Sequence, residues 1–206
     1  MKFTDFIFPI SLTSKLEWWL NNSTTVLSPL CFYGFPGTGK TTFAKFIAEN
    51  KTVGENIIYE DMNNHKTHKD DFGKTMKRIT DFATTMSFYK SGMWSKTIIL
   101  DEFHNLTVNQ QDAFKVKFET WNELGVQIII CLNTKPEKPI DRVLSKAIKS
   151  RCECINFNYS ESGLNEVIPK VIAKYPHLNP DEIKCLLPDL RAINRKAKLY
   201  GERHES

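Results

Sequence analysis

The stretch GFPGTGKTT, residues 34–42, sets Gly34, Gly39, Lys40 and Thr41 at the spacing G-x-x-x-x-G-K-[ST]. Glycines let the loop Gly34, Phe35, Pro36, Gly37, Thr38, Gly39 curl until its backbone N–H groups converge on an anion. A helix starting at Lys40 would add the partial positive charge of its N-terminus. Lys40 would neutralise phosphate oxygens, and the Thr41 hydroxyl would ligate Mg²⁺, with Thr42 beside it in the first helical turn. A glycine-rich turn with a chance lysine is the bland reading. The apolar run PLCFY before the loop and the segment TTFAKFIAEN after it supply the strand and helix that a phosphate-binding loop requires, and they favour a nucleoside triphosphate site.

A second constellation ends another apolar run. In TIILDEFHN, Asp101 and Glu102 stand at the carboxyl end of a buried strand. From there Asp101 can reach the hydration shell of the same Mg²⁺, and Glu102 can orient or deprotonate an attacking water. Two acids capping the next helix are the structural alternative. In VQIIICLN, Asn133 closes a third run; its amide could hydrogen-bond the water or the γ-phosphate, or merely form the turn before TKPEKP.

Such groups converge only if the strands that end in them lie side by side. Runs of strand length recur at PLCFY, NIIYE, TIILD, VQIIICL and CECINF, with amphipathic segments between most of them. This alternation predicts an α/β fold, a parallel sheet covered by helices on both faces. Helices are expected over 12–21, 40–50, 68–89 with a break, 107–123 and 139–148. Past Phe157 no strand-like run occurs, and Pro176, Pro180 and Pro188 punctuate three short helices. The expected organisation is a nucleotide-binding base at 1–158 and a helical lid at 159–206.

Composition sets the limits. A chain of 206 residues, 41% hydrophobic, can bury one substantial core. Its 28 Lys and Arg against 24 Asp and Glu leave a net charge of +4, which permits a polyanionic partner without demanding one. No run approaches the ~18 apolar residues of a membrane span, and MKFTDFIFPISL lacks the apolar stretch and cleavage site of a secretory leader. No membrane partner is expected, and the expected location is the cytoplasm. Cys31 and Cys131 fall in apolar runs and read as buried thiols, while Cys152, Cys154 and Cys185 lack the spacing of a zinc site. Trp18, Trp19 and Trp121 fall on expected helices and read as core or interface packing rather than a base-stacking platform.

In LSKAIKSRCECINF, residues 144–157, Arg151 stands just before a short strand, where a lone arginine would ordinarily make a surface ion pair. Taken with the loop and the acid pair, Ser150, Arg151 and Cys152 make the chain resemble the AAA+ ATPase subunits of sliding-clamp loaders. These are the replication factor C group, and in particular its T-even-like phage type. LTVNQQDAFKVKFETWNE is similar to the family's helix after the acid pair, at Thr107, Gln111, Ala113 and Glu119, with Trp121 where an aromatic is usual. LPDLRAINRKAKL resembles its lid helix. The resemblance implies a P-loop AAA+ fold with a small C-terminal helical lid, ATP and Mg²⁺ as cofactors, and hydrolysis with Glu102 as base. It also implies Asn133 as sensor 1, Arg191 as sensor 2 on the γ-phosphate, and Arg151 inserted into the ATP site of a neighbouring subunit. The implied partners are other clamp-loader subunits, a sliding clamp and primer-template DNA. ATP binding would assemble the subunits to open the clamp and grip DNA, and hydrolysis would release both. If the protein is viral, the cytoplasm is the host's.

The chain also departs from that pattern. FTDFIFP stands where the family carries a Tyr-Arg-Pro adenine contact, which leaves the base pocket unassigned. His104 and Asn105 replace the small and acidic residues that commonly follow the acid pair. Family members usually continue into a helical collar, so the chain is expected to be a fragment or to assemble differently. HKTHKDDFGKTMKR sets Lys66, Lys69, Lys74, Lys77 and Arg78 against Asp70 and Asp71, in a segment that in the family faces duplex backbone; a solvated helix face is the other reading. An AAA+ type viral replicative helicase is the alternative function. A P-loop kinase of small molecules and a non-catalytic AAA+ scaffold complete the field.

Overall fold

The computed structural model describes all residues except 23–27, 66–68, 88–89 and 203–206; Lys66 and His68 lie outside the described residues. The elements run α1 (Ile10–Asn22), β1 (Leu30–Gly34), α2 (Lys40–Lys51), β2 (Ile57–Asp61), α3 (Lys69–Thr84), β3 (Lys96–Asp101), α4 (Val108–Asp112), α5 (Lys115–Glu123), β4 (Val126–Asn133), α6 (Ile140–Val143), α7 (Lys146–Lys149) and β5 (Glu153–Asn156). Three helices follow, α8 (Glu161–Lys174), α9 (Pro180–Leu186) and α10 (Leu190–Glu202). The five strands form one parallel sheet in the order β2-β3-β4-β1-β5.

Burial on both faces explains why the central strands are unbroken apolar runs rather than alternating ones. Ile98, Leu100, Ile128 and Ile130 point to a core shared with Phe103, Phe114, Phe118 and Trp121. Ile99, Ile129 and Cys131 point to the other, against Phe32, Phe43 and Phe157. That second core also takes in Val167, Val171, Ile183 and Ile193 of α8 to α10. Trp19 and Trp121 are buried in the core, whereas Trp18 is 61% exposed, outside the core half of the expectation. Residues 18 and 19 are adjacent on α1 and a helix turns ~100° between them, so only one can face the core.

Two expected helices are split. Residues 107–123 break into α4 and α5 at Ala113–Phe114, where Phe114 N–H donates to Gln111 O in a tighter turn. Gln111 and Phe114 are both buried, three residues apart, and the tighter turn lets them share one face. Residues 139–148 break at Leu144, which is extended, and Ser145 then caps α7 by accepting the Ile148 N–H. Helix α1 starts two residues earlier than expected because Glu166, on α8, accepts the Ile10 N–H at 2.8 Å. Helix α3 ends at Thr84 over the buried Lys96, whose ammonium donates to the carbonyls of Phe82, Ala83 and Thr85.

Candidate active site

All strands run parallel, so the segments leaving β1, β3 and β4 emerge at one end of the sheet. Gly34 starts the loop at φ +151, and a Cβ there would sit 2.9 Å from Asn158 Oδ1, the atom that accepts the Phe35 N–H. Gly37, at φ +79, lies so close to Asp189 that a Cβ would come within 1.9 Å of its carboxylate. Gly37 O accepts the Leu190 N–H at 3.1 Å, tying the loop to α10, while Asp189 caps that helix through the Ala192 N–H. Thr38 closes the loop on itself through Phe35 O, and Gly39 (φ +92) releases the chain into α2. Lys40 is buried beneath the loop and donates to Gly34 O at 3.0 Å and Phe35 O at 2.6 Å.

Thr41 Oγ1 lies 2.9 and 3.1 Å from the two Asp101 oxygens, so the hydroxyl and the carboxylate address one point. Hard oxygen donors of this kind suit Mg²⁺, which takes a few protein ligands and completes its shell with phosphate and water. The phenol of Tyr59, on β2, donates to Asp101 Oδ2 at 2.7 Å, and the Lys45 ammonium lies 4.0 Å from the Tyr59 ring centroid. Asn133 Nδ2 donates to both Glu102 oxygens, at 2.9 and 3.1 Å. Burial raises the Glu102 carboxyl above the usual range, the neighbouring Asp101 charge adds to it, and the Asn133 hydrogen bond partly opposes both. A raised carboxyl is a better proton acceptor near neutrality than an ordinary surface one.

These groups open onto a cavity of about 420 Å³ lined by Pro36, Gly37, Gly39, Lys40, Thr41, Thr42, Glu102, Asn133 and Arg191. Its apolar end is lined by Phe6, Ile7, Phe8, Tyr175 and Leu190, with Asp5, Lys174 and Asn194 the polar residues that line the cavity beside them in sequence. The fold thus brings the loop, both acids, the β4 asparagine and the α10 arginine together. Arg151 stands elsewhere. It precedes β5, which begins beside Leu30, whereas the loop leaves β1 after Gly34; a five-residue strand separates the two ends by roughly 13 Å. There Arg151 Nε donates to Glu119 Oε1 at 2.7 Å and its Nη1 to Ala147 O at 2.8 Å. Tyr59, Asn158 and the apolar end were absent from the sequence expectation. None follows from local pattern, since each meets the site through distant pairing; the unmatched FTDFIFP was the sole hint.

Burial pulls the Lys40 ammonium down to about 8, with Glu102 and Asp101 opposing the fall. For folding, the cost of that buried charge is full below about pH 8 and is relieved as pH rises towards the ordinary lysine range. For a bound triphosphate the sign is opposite, because the anion restores the charged form. Affinity for ATP is expected to be flat below about pH 7 and to fall by up to about tenfold per unit above 8. Proton uptake on binding, read by calorimetry in buffers of different ionisation enthalpy, checks this; no uptake near pH 8 would mean that Lys40 stays charged throughout.

A curled loop closing on a helix, a lysine beneath it and acids at the end of β3, one strand removed from the loop's own, define a P-loop nucleotide-binding module. The chain belongs to the AAA family, described as ATPase family associated with various cellular activities, which matches residues 30–157. Among curated relatives it is 31% identical over 173 residues to a probable replication factor C subunit 5 of Dictyostelium discoideum, covering 81% of this chain and 46% of that protein. It is 30% identical to a replication factor C small subunit 1 of Pyrobaculum aerophilum, covering 70% of this chain and 41% of the other. The chain spans less than half the length of these relatives. Among solved structures, a replication initiator DnaA bound to AMPPCP and single-stranded DNA superposes with a TM-score of 0.64 at 23% identity. That match covers 99% of this chain and 67% of the other, a likeness of fold.

Proposed function

We propose that this chain is the ATPase portion of a sliding-clamp loader subunit, in which ATP binding joins subunits and hydrolysis lets them go. The observation that carries the reading is Arg151, at the sheet end remote from its own cavity and a quarter exposed, where an adjacent subunit's nucleotide could meet it. Kinship with replication factor C subunits supports the same reading. Within the chain, Lys40 and the loop amides hold the phosphates, and Thr41 with Asp101 would hold Mg²⁺, which screens charge on the phosphate oxygens. Glu102 accepts a proton from the attacking water while Asn133 orients it, and Arg191 meets the γ-phosphate. The apolar end, between Phe6, Phe8 and Tyr175, takes the base. The helices α8 to α10, within the segment 159–206, would form the lid over the nucleotide, joined to the loop through Gly37 and Leu190. The helicase reading explains the loop and acids equally well but gives the Ser-Arg-Cys segment no comparable role.

Lys74, Lys77 and Arg78 lie exposed on α3, with Arg78 paired to Glu60. We assign this face to duplex phosphates. The deciding measurement is ATPase rate with and without primed DNA and a candidate clamp: stimulation by both, without strand unwinding, is expected. Replacing Lys74 and Lys77 by Ala should weaken DNA binding across sequences and lower the salt slope by roughly 2, leaving basal ATPase intact. An unchanged slope would return this face to solvent, and unwinding would favour the helicase.

A further inference from the structure

Glu102 takes a left-handed backbone conformation at φ +53, and a short 3₁₀ turn, Phe103–Asn105, follows. The turn carries His104 back against the end of β4. There Nδ1 accepts the backbone N–H of Asn133 at 3.2 Å. A ring that accepts at Nδ1 keeps its proton on Nε2 when neutral, and Nε2 lies 3.4 Å from Glu102 Oε2. The Asn133 amide grips the same carboxylate at 2.9 and 3.1 Å. The imidazole therefore joins the main chain of β4 to the acid at the end of β3. The two side chains are only 22% and 27% exposed.

We propose that His104 is a positioning residue that holds Glu102 and Asn133 as one unit at the mouth of the cavity. This role rests on the reading of Glu102 as the base. A glutamate on a mobile side chain has rotamers that point away from a reacting water, and a donor fixed to the neighbouring strand removes them. His104 lines no part of the cavity itself. Its loss should therefore act on turnover and leave nucleotide affinity alone, a split that a general packing defect would not produce.

His104→Ala is expected to lower kcat about tenfold while ATP affinity changes less than about twofold, and His104→Gln, which keeps a donor near the Nε2 position, should recover part of the loss. In a Glu102→Gln background His104→Ala should cost nothing further, because the group it positions is gone. Independently of activity, long-range ¹⁵N–¹H NMR of the full chain should find the neutral His104 ring as the Nε2–H tautomer, with its resonances shifted by Glu102→Gln. A kcat equal to or above the wild-type value in His104→Ala, a loss that multiplies that of Glu102→Gln, or an Nδ1–H tautomer would each overturn the proposal. Normal turnover in Glu102→Gln alone would instead remove the base assignment, and the tautomer and its response would then decide whether the histidine holds the acid.

Discussion

Lys40→Ala is expected to abolish ATP binding, lowering affinity by at least about 100-fold, whereas Glu102→Gln should bind ATP normally and lose at least about 100-fold in turnover. The two residues line one cavity but act on different terms. Lys40 is the buried ammonium under the loop, hydrogen-bonded to Gly34 O and Phe35 O, and it is the charge that the triphosphate would meet. Burial makes that charge costly to the fold. Removing it should therefore leave the melting temperature unchanged or higher, a stability gain traded against function. Glu102→Gln keeps the shape and the Asn133 contact but cannot accept a proton. Fluorescent-nucleotide titration and single-turnover hydrolysis separate the outcomes. Equal binding by Lys40→Ala would remove the phosphate-cradle assignment, and normal turnover by Glu102→Gln would move the base elsewhere.

The second large effect concerns Arg151. Arg151→Ala keeps an intact loop but has no arginine to donate, and Lys40→Ala keeps its arginine but holds no nucleotide. Each is expected to be inactive in an assembly made of that variant. A mixture places some intact loops beside intact arginines, so part of the ATPase should return, limited by the fraction of such interfaces. An arginine acting within its own chain cannot be rescued this way, and its position at the far end of β1 argues against that route. Arginine supplied across an interface typically contributes 10³–10⁵ in rate, so the recovered signal should stand well above background. The mixing must be done with the assembly partners present and mixed assembly verified. Absence of recovery there would sink the intersubunit role and most of the case for a clamp loader over a generic ATPase.

Much of this protein was legible in one dimension because the physics behind it is local. A parallel strand buried on both faces must be apolar throughout, so the central strands β1, β3 and β4 stand out as runs, and TIILD and VQIIICLN each end in a polar residue where the site lies. A backbone that wraps phosphate needs glycine at set intervals and a helix behind it, so the loop from Gly34 to Thr42 announces itself. Helix ends were less legible. The start of α1 depends on Glu166, and the end of α3 depends on Lys96, more than ten residues beyond it.

What only the tertiary structure decided is which distant residues meet. Parallel pairing sets Asp61 against Asp101 and so brings the Tyr59 phenol to the Asp101 carboxylate, although nothing in NIIYE marks that tyrosine. The cavity's apolar end joins Phe6 and Phe8 to Tyr175, more than 160 positions away in the chain, through packing of α8 to α10 onto the sheet. His104 was visible in the sequence as an oddity after the acid pair, and its meaning came from β4 lying alongside β3. Glu119 and Arg151 likewise meet through the fold, at the sheet end remote from the chain's own cavity. Sequence periodicity reports how each segment partitions between core and water. Contacts between segments depend on register and helix docking, which many weak interactions decide together and no single stretch encodes.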